Sequence, residues 1–342
     1  MTERLTPQAV EHWGRHAGGS PLYQHLAGVI ASDVELMRVL NDIEHPPQPN
    51  VLLAGVQYLL MKNPDQELAS FYPNLTDRSA PVEEAGNPFR EFVLVNEPEL
   101  LEIGRTRYTQ TNESRRCTAL LPAIWETRVN EFHLVDIGTS AGLTLLIDRY
   151  HYRWDGLEWG PTSPVTLDCR LRGRAPLPQP VELLSRTGLD LHPVDLAEPD
   201  ARVWLEALVW PEQVDRRRRL QDAMNMQRDI EMELVAGNAS ETLGPTLAGL
   251  PGDAPIVVMH SFALNQFTPD QRAAVDDVLA SVRRSRLVWR VSLELVELSD
   301  EAPELAIDDG SGPWVIGQAQ PHGEWLALRP PVDRDQGAVD DP

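Results

Sequence analysis

Between residues 131 and 295 the chain alternates short runs rich in β-branched residues with helical patterns, and no other feature restricts the fold as much. The runs are 132-FHLVDIG-138, 186-RTGLDLHP-193, 232-MELVAGNA-239, 255-PIVVMHSF-262 and 286-RLVWRVSLEL-295. Helical spacing at 141–150, 199–225 and 268–284 separates most of them, and Thr268-Pro269-Asp270-Gln271 spells a capping box. Alternating strand and helix implies a parallel sheet with right-handed crossovers, the α/β class. The run 313–330 differs, reading as two strands around Pro321-His322-Gly323. A second hairpin is expected in the insertion 150–170, where Asp155-Gly156 sits between alternating segments. The expected sheet is therefore mostly parallel and ends in an antiparallel hairpin.

The first third of the chain reads as helix. Thr6-Pro7 is an N-cap followed by proline at the first helical position. An apolar stripe at spacings of three and four runs from Leu22 through Leu26, Val29, Ile30 and Met37 to Leu40. The segment 46-PPQPN-50 closes that helix, and 51-VLLAGVQYLLM-61 opens a buried one. Further helices are expected near 64–72, 88–104 and 112–128. The expected division is a helical N-terminal cap domain over 1–130, a sheet domain over 131–330 with the hairpin inserted near 150–170, and a disordered tail over 331–342.

Charge narrows the partners. With a formal net charge of -22, nucleic acid is a poor partner unless basic residues concentrate on one face. The one basic run, Arg216 to Arg219, has Asp215 and Asp222 beside it and reads as a solvated helix face. Cys117 and Cys169 make neither a C-x-x-C nor a zinc spacing, so no metal site and reduced cytosolic thiols are expected. The longest apolar run is too short to span a bilayer, and the first residues lack the apolar core of a signal peptide. These features predict a soluble cytoplasmic protein acting on a small molecule or peptide, with no nucleic-acid or membrane partner and its oligomeric state left open.

The stretch 133-HLVDIGTSAGLTLLIDRY-150 carries two chemistries. Gly138-Thr139-Ser140-Ala141-Gly142 satisfies G-x-S-x-G, the nucleophile elbow of serine hydrolases. That elbow requires a histidine base, an acid and an oxyanion hole. No glycine-rich oxyanion loop precedes it, and Asp155-Gly156-Leu157 and Asp309-Gly310-Ser311 match poorly the aspartate segment of patatin-type lipases. From Asp136 onward the same residues spell D-x-G-x-x-x-G, a strand ending in an acid and a glycine turn. This resembles motif I of class I S-adenosylmethionine-dependent methyltransferases, with Ser140 in place of the middle glycine.

The resemblance implies a Rossmann-like sheet and the cofactor S-adenosylmethionine. It assigns Asp136, Gly138, Thr139, Ser140 and Gly142 to the cofactor turn, where a side chain at Gly138 would occupy ligand space. Asn238 and Ala239, in 236-AGNASETL-243, match the segment after the third strand that meets the adenine. The ribose acid is preferably Asp190 in 188-GLDLHPVDL-196, although Asp190 lies well beyond the usual gap of about 20 residues. Asp155 and Asp168 are the alternatives. Across most of its length the chain also resembles a bacterial family of domain of unknown function 2332, through 109-TQTNESRRCTALLPA-123, DIGTSAGL with DRYHY, SRTGLDLHPVD, WPEQVDRRRRL and His322-Gly323.

The polar cluster 111-TNESRRC-117 supplies candidate substrate-binding residues in Asn112, Glu113 and Arg116. Read blandly, it is a helix N-terminus with Asn112 as cap. His260 stands at the end of the fourth expected strand, where a general base belongs, and is the candidate catalytic residue; His322 is a weaker one. The leading expectation is an S-adenosylmethionine-dependent methyltransferase. A serine hydrolase using Ser140 is the alternative, and a noncatalytic binding protein on the same fold is the third.

Overall fold

A computed structural model describes residues 4–16, 19–295 and 302–330. Among the described residues eleven α-helices run in the order α1 (Pro7–His16), α2 (Pro21–Ser32), α3 (Val34–Asn41), α4 (Gln48–Lys62), α5 (Gly86–Val95), α6 (Glu97–Thr106), α7 (Cys117–Glu126), α8 (Pro199–Ala207), α9 (Val214–Gln227), α10 (Ala239–Gly249) and α11 (Pro269–Arg283). The eleven strands are β1 (Glu131–Ile137), β2 (His151–Trp154), β3 (Leu157–Trp159), β4 (Thr166–Leu171), β5 (Glu182–Asp190), β6 (Glu233–Ala236), β7 (Ile256–Ser261), β8 (Val288–Glu294), β9 (Glu304–Asp308), β10 (Trp314–Ala319) and β11 (Trp325–Leu328). The chain divides into two compact units, one of 1–111 with 196–221 and the other of 112–195 with 222–342. The tail 331–342, expected to be disordered, lies outside the described residues. No helix among the described residues is long and apolar enough to cross a membrane.

The first unit is helical, and side chains set its breaks. The stripe from Leu22 to Leu40 is two helices because the Asp33 carboxylate accepts from the amides of Glu35 (2.8 Å) and Leu36 (3.1 Å), capping α3. Residues 88–104 likewise split into α5 and α6, with Pro98 in the first turn of α6. The region 64–72 forms only a 3₁₀ turn, Glu67–Phe71. Helix α4 is buried on nearly every side, at the centre of a core shared with Leu26, Ile30, Phe89 and Trp204. The returning segment is fixed there by Gln57, fully buried, whose amide donates to the carbonyls of Ala207 (2.8 Å) and Val209 (2.7 Å) at the end of α8.

The second unit holds one sheet in the order β3-β2-β4-β11-β10-β9-β8-β7-β1-β5-β6. From β6 to β8 every pairing is parallel; β8 to β11 then form an antiparallel meander. The sheet is mostly parallel, as the strand–helix alternation requires. The expected terminal hairpin, β10 with β11, is not terminal. Strand β4 pairs in parallel with β11 and with β2, so the segment 150–170 continues the same sheet instead of standing apart from it. Its hairpin is present as β2 and β3, turning at Asp155-Gly156.

The stretch 141–150 departs from expectation. Only a 3₁₀ turn, Leu143–Leu146, follows Gly142. Carbonyls that an α-helix would pair internally are taken by tyrosine hydroxyls instead: Tyr150 donates to Leu143 O (2.6 Å) and Tyr152 to Ile147 O (2.5 Å). Both rings are fully buried, Tyr150 edge-on to Tyr152 and Tyr152 stacked on Trp154, so apolar spacing that reads as a helix is satisfied by an aromatic cluster. The capping box at α11 forms as its sequence dictates, with Thr268 Oγ1 accepting from Gln271 N (3.3 Å) and Gln271 Oε1 from Thr268 N (2.9 Å).

Candidate functional site

Strand β1 lies between β5 and β7, and the chain crosses first to one side of it and later to the other. Such a reversal leaves a crevice outside the carboxyl ends of the strands, the place where open parallel sheets take ligands. Several polar residues are buried around it: Asp136 near the end of β1, Thr139 and Ser140 beyond it, and Glu113, Ser114 and Thr118 ahead of and within α7.

The turn after β1 is fastened to β5. The amides of Gly138 (2.8 Å) and Thr139 (3.2 Å) both donate to Leu189 O, and Ser140 N donates to Asp190 Oδ2 (2.8 Å). The other oxygen of Asp190 accepts from His192 N (2.9 Å), and its carbonyl accepts from Gly237 N at the end of β6 (2.9 Å). Asp190 therefore joins the ends of three adjacent parallel strands. Asp155 and Asp168 lie elsewhere, Asp155 accepting from Leu171 N (2.7 Å) and Asp168 pairing with Arg153 (2.7 Å). Asn238 caps α10 through its bond from Ser240 N (3.0 Å), and Ala239 is the buried first residue of that helix.

Gly138 has φ +79, and a Cβ there would stand 2.7 Å from the Ala263 Cβ. Its side-chain space is filled by the loop after β7, so the expected intolerance of a side chain at Gly138 has a packing cause. Gly142, at φ +75, is likewise closed by the Met232 sulfur, 2.6 Å from a Cβ. Strain gathers at the same place. Of the non-glycine residues with positive φ, Ser140 (+52) and Phe262 (+55) lie just beyond the neighbouring strands β1 and β7.

Asn112 is a bridge and not the expected cap. Its Nδ2 donates to Ser140 Oγ (3.0 Å) and its Oδ1 accepts from Ala141 N (3.2 Å). Glu113 caps the following 3₁₀ turn, Ser114–Arg116, by accepting from Arg115 N (3.0 Å). Arg116 reaches the loop after β7, its guanidinium lying 4.3 Å from the Phe262 ring centroid and donating from Nε to Pro321 O (3.0 Å). Of the three candidate substrate residues, Asn112 thus contacts the glycine turn and Arg116 the loop after β7.

Asp136 is almost wholly buried, paired in register with Gly188 on one side and Met259 on the other. Burial pushes its carboxyl up to about 7; the bond from the Thr144 hydroxyl and the nearby Thr139 hydroxyl oppose the rise, nearby Asp190 adds to it, and Arg116 lowers it. A carboxyl that titrates near neutrality beside a ligand crevice is a functional-site signature.

His260 is not in this group. It pairs in register with Ile137, so strand alternation puts the two on one face and Asp136 on the other. Ile137 belongs to the core formed with α10 and α11. There the His260 ring is 1% exposed, with Nδ1–H donating to Glu294 Oε1 (2.7 Å) and Nε2 accepting from Arg290 Nε (2.9 Å). Burial lowers its pKa against the opposing pull of Glu294. With both nitrogens engaged and no exposed edge, His260 is a structural tie between β7 and β8, not the base that its strand-end position suggested. Its partners went unnoticed in the sequence because strand register, which no local pattern encodes, decides that Arg290 and Glu294 share its face. Thr144 was also missed, and for it there was a signal: a hydroxyl residue eight positions after a strand-end acid.

The chain belongs to the family described as uncharacterized protein conserved in bacteria (DUF2332), which matches residues 7–327. No curated protein matches it.

Proposed function

We propose that the protein binds S-adenosylmethionine over the carboxyl ends of β1, β5 and β6 and transfers its methyl group to a small molecule or peptide. The observation that carries this reading is the chain of contacts at the β1 switch point, where Asp190 ties the glycine turn to the end of β6, next to Asn238. The run β6-β5-β1-β7-β8, all parallel with the first strand inside, supports a Rossmann-like core. Two features depart from the methyltransferase resemblance: no α-helix follows the glycine turn, and the meander β9 to β11 extends the sheet.

The donor set fits the cofactor. A carboxylate offers about four lone-pair sites, and two backbone amides hold that of Asp190 in a fixed orientation at a strand end, as a ribose diol requires. Asn238 uses its carbonyl as a cap, and its NH2 remains a donor suited to an adenine ring nitrogen. When bound, the cofactor supplies an electrophilic methyl group on sulfur. The protein's own part is to hold the acceptor in line with it and to remove a proton. A net charge of -22 favours a small or peptide acceptor over a nucleic acid.

Calorimetric titration with S-adenosylmethionine and S-adenosylhomocysteine tests this directly. Binding is expected, weaker by roughly tenfold or more in Asp190→Asn, which loses the charge that strengthens each hydroxyl bond, and little changed in Asp155→Ala. No binding by folded wild-type protein would falsify the cofactor reading; equal losses in the two variants would put the ribose elsewhere.

One observation favours a second reading. The positive φ of Ser140 is the kind of backbone a nucleophile elbow requires. Against it, the Ser140 hydroxyl accepts from Asn112 and its amide donates to Asp190, and among the described residues no histidine is bonded to that hydroxyl. A fluorophosphonate probe is expected to leave the protein unlabelled, and Ser140→Ala to keep cofactor affinity within about tenfold. Labelling that disappears in Ser140→Ala would establish the hydrolase reading instead.

A further inference from the structure

The turn between β10 and β11 is clamped onto the residues that lead into α7. Arg116 Nε donates to Pro321 O (3.0 Å), Arg115 Nε to His322 O (3.0 Å) and Thr118 Oγ1 to Gly323 O (3.1 Å). At Gly323 a Cβ would collide with the Arg115 carbonyl, so the turn rests directly on backbone. His322 N donates to Gln320 Oε1 (2.6 Å), fixing the turn from its other side. The His322 ring is thereby held against Glu113, with Nδ1 3.9 Å from Glu113 Oε2. The Glu113 side chain is 1% exposed, whereas that of His322 is 36% exposed. The second oxygen of Glu113 accepts from Arg115 N (3.0 Å), and Arg115 pairs outward with Glu324 (3.2 Å).

We propose that Glu113 and His322 form a carboxylate–imidazole dyad in which His322 takes the proton from the hydroxyl or amine of the methyl acceptor. This rests on the methyl-transfer reading above and adds the base that His260 cannot supply. A buried carboxylate on the Nδ1 side favours the tautomer that carries its proton there, which makes Nε2 the basic nitrogen. Glu113 acts through His322 and is a positioning residue. The separation of 3.9 Å is longer than a hydrogen bond, and such contacts in unliganded sites tighten when substrate binds. The dyad adjoins the proposed cofactor turn, because Asn112, the residue before Glu113, bonds both Ser140 and Ala141.

In the step itself, a lone pair on the acceptor oxygen or nitrogen forms the bond to the methyl carbon. The bond from that carbon to sulfur breaks, its electron pair staying on sulfur. The acceptor's proton passes to His322 Nε2 and later to solvent.

Acylation by diethyl pyrocarbonate, read by peptide mass spectrometry, reports the nucleophilicity of His322 without knowledge of the acceptor. His322 is expected to be acylated in the wild type, with His322→Gln as the control for the modified peptide. The rate at its high-pH plateau is expected to fall about tenfold in Glu113→Gln, which keeps an acceptor for the Arg115 amide, and to recover in part in Glu113→Asp. Affinity for S-adenosylhomocysteine is expected to stay within about threefold of wild type in all three variants. An unchanged acylation rate in Glu113→Gln, or an unreactive His322, overturns the dyad and leaves the cofactor reading standing. Absence of S-adenosylhomocysteine binding by the wild type overturns the cofactor reading, and with it the dyad's role in methyl transfer, whatever the acylation rates.

Discussion

Replacing Asp136 by asparagine is expected to stabilise the protein at pH 8 and to leave it near wild type at pH 4. In the folded chain the Asp136 carboxyl titrates at about 7; in the unfolded chain it returns to about 3.9. Between these values the native state holds a proton that the unfolded state has released, so wild-type stability falls as pH rises. The contribution of the protonated carboxyl is complete below about pH 4 and gone once pH has passed about 7. A difference of about three units corresponds to about 4 kcal/mol, an upper figure for the gain in Asp136→Asn at pH 8. Asparagine keeps the shape and an acceptor for the Thr144 hydroxyl, so no cavity accompanies the change. Urea unfolding of both proteins from pH 4 to pH 8 measures it. A stability difference independent of pH would show that the proton resides on another group.

The opposite effect is expected at Glu294. Its Oε1 accepts from His260 Nδ1 (2.7 Å), Ala263 N (3.0 Å) and Leu264 N (3.2 Å). Glu294→Ala leaves three donors, one of them on the buried His260 ring, without that acceptor. A buried donor left without a partner costs about 1–3 kcal/mol, so a loss of about 3 kcal/mol or more is expected in urea unfolding at neutral pH. Glu294→Gln keeps an acceptor and is expected to lose less than half as much. Burial alone would raise the Glu294 carboxyl, but His260 and the two amides hold it below the usual value. Its stabilisation is therefore present above about pH 4.3 and is lost as pH falls through the folded pKa. A near-neutral Glu294→Ala would mean that His260 is free to act as something other than a tie.

The parallel strands were legible because burial on both faces demands the β-branched runs that the sequence displays, as in PIVVM before His260 and FHLVDI before Gly138. Strand β9 was not, since ELAID is short and holds a single β-branched residue. Strand β4 was legible as an extended segment but not as a partner of β11, because pairing across more than 150 residues leaves no local mark. The region 141–150 shows the same limit from the other side: leucine spacing in LTLLIDRY fits a helix, and only the packing of Tyr150 and Tyr152 decides otherwise.

At the site, Asp190 was found from a spelling, G-x-D-x-x-P, which places an acid at a strand end whatever its distance along the chain. Asn112 was found as a polar residue in an odd place, although its role as a bridge depends on where the glycine turn lies. His260 shows what position alone leaves out. Both it and Asp136 end central strands, and the pleat turns one toward the crevice side and the other into the core.

The two outermost strands of the sheet bear on how the protein behaves at high concentration. A sheet this wide exposes two rows of unpaired amides and carbonyls, each a template on which a foreign strand can add. Here one border is β3, three residues long and followed by Gly160 and Pro161, and the other is β6, four residues long and starting at Glu233. Pairs of such length gain too few hydrogen bonds to offset the ordering of an incoming chain, and proline has no amide to offer. Breadth is thus combined with short borders, which give an incoming strand little to pair with.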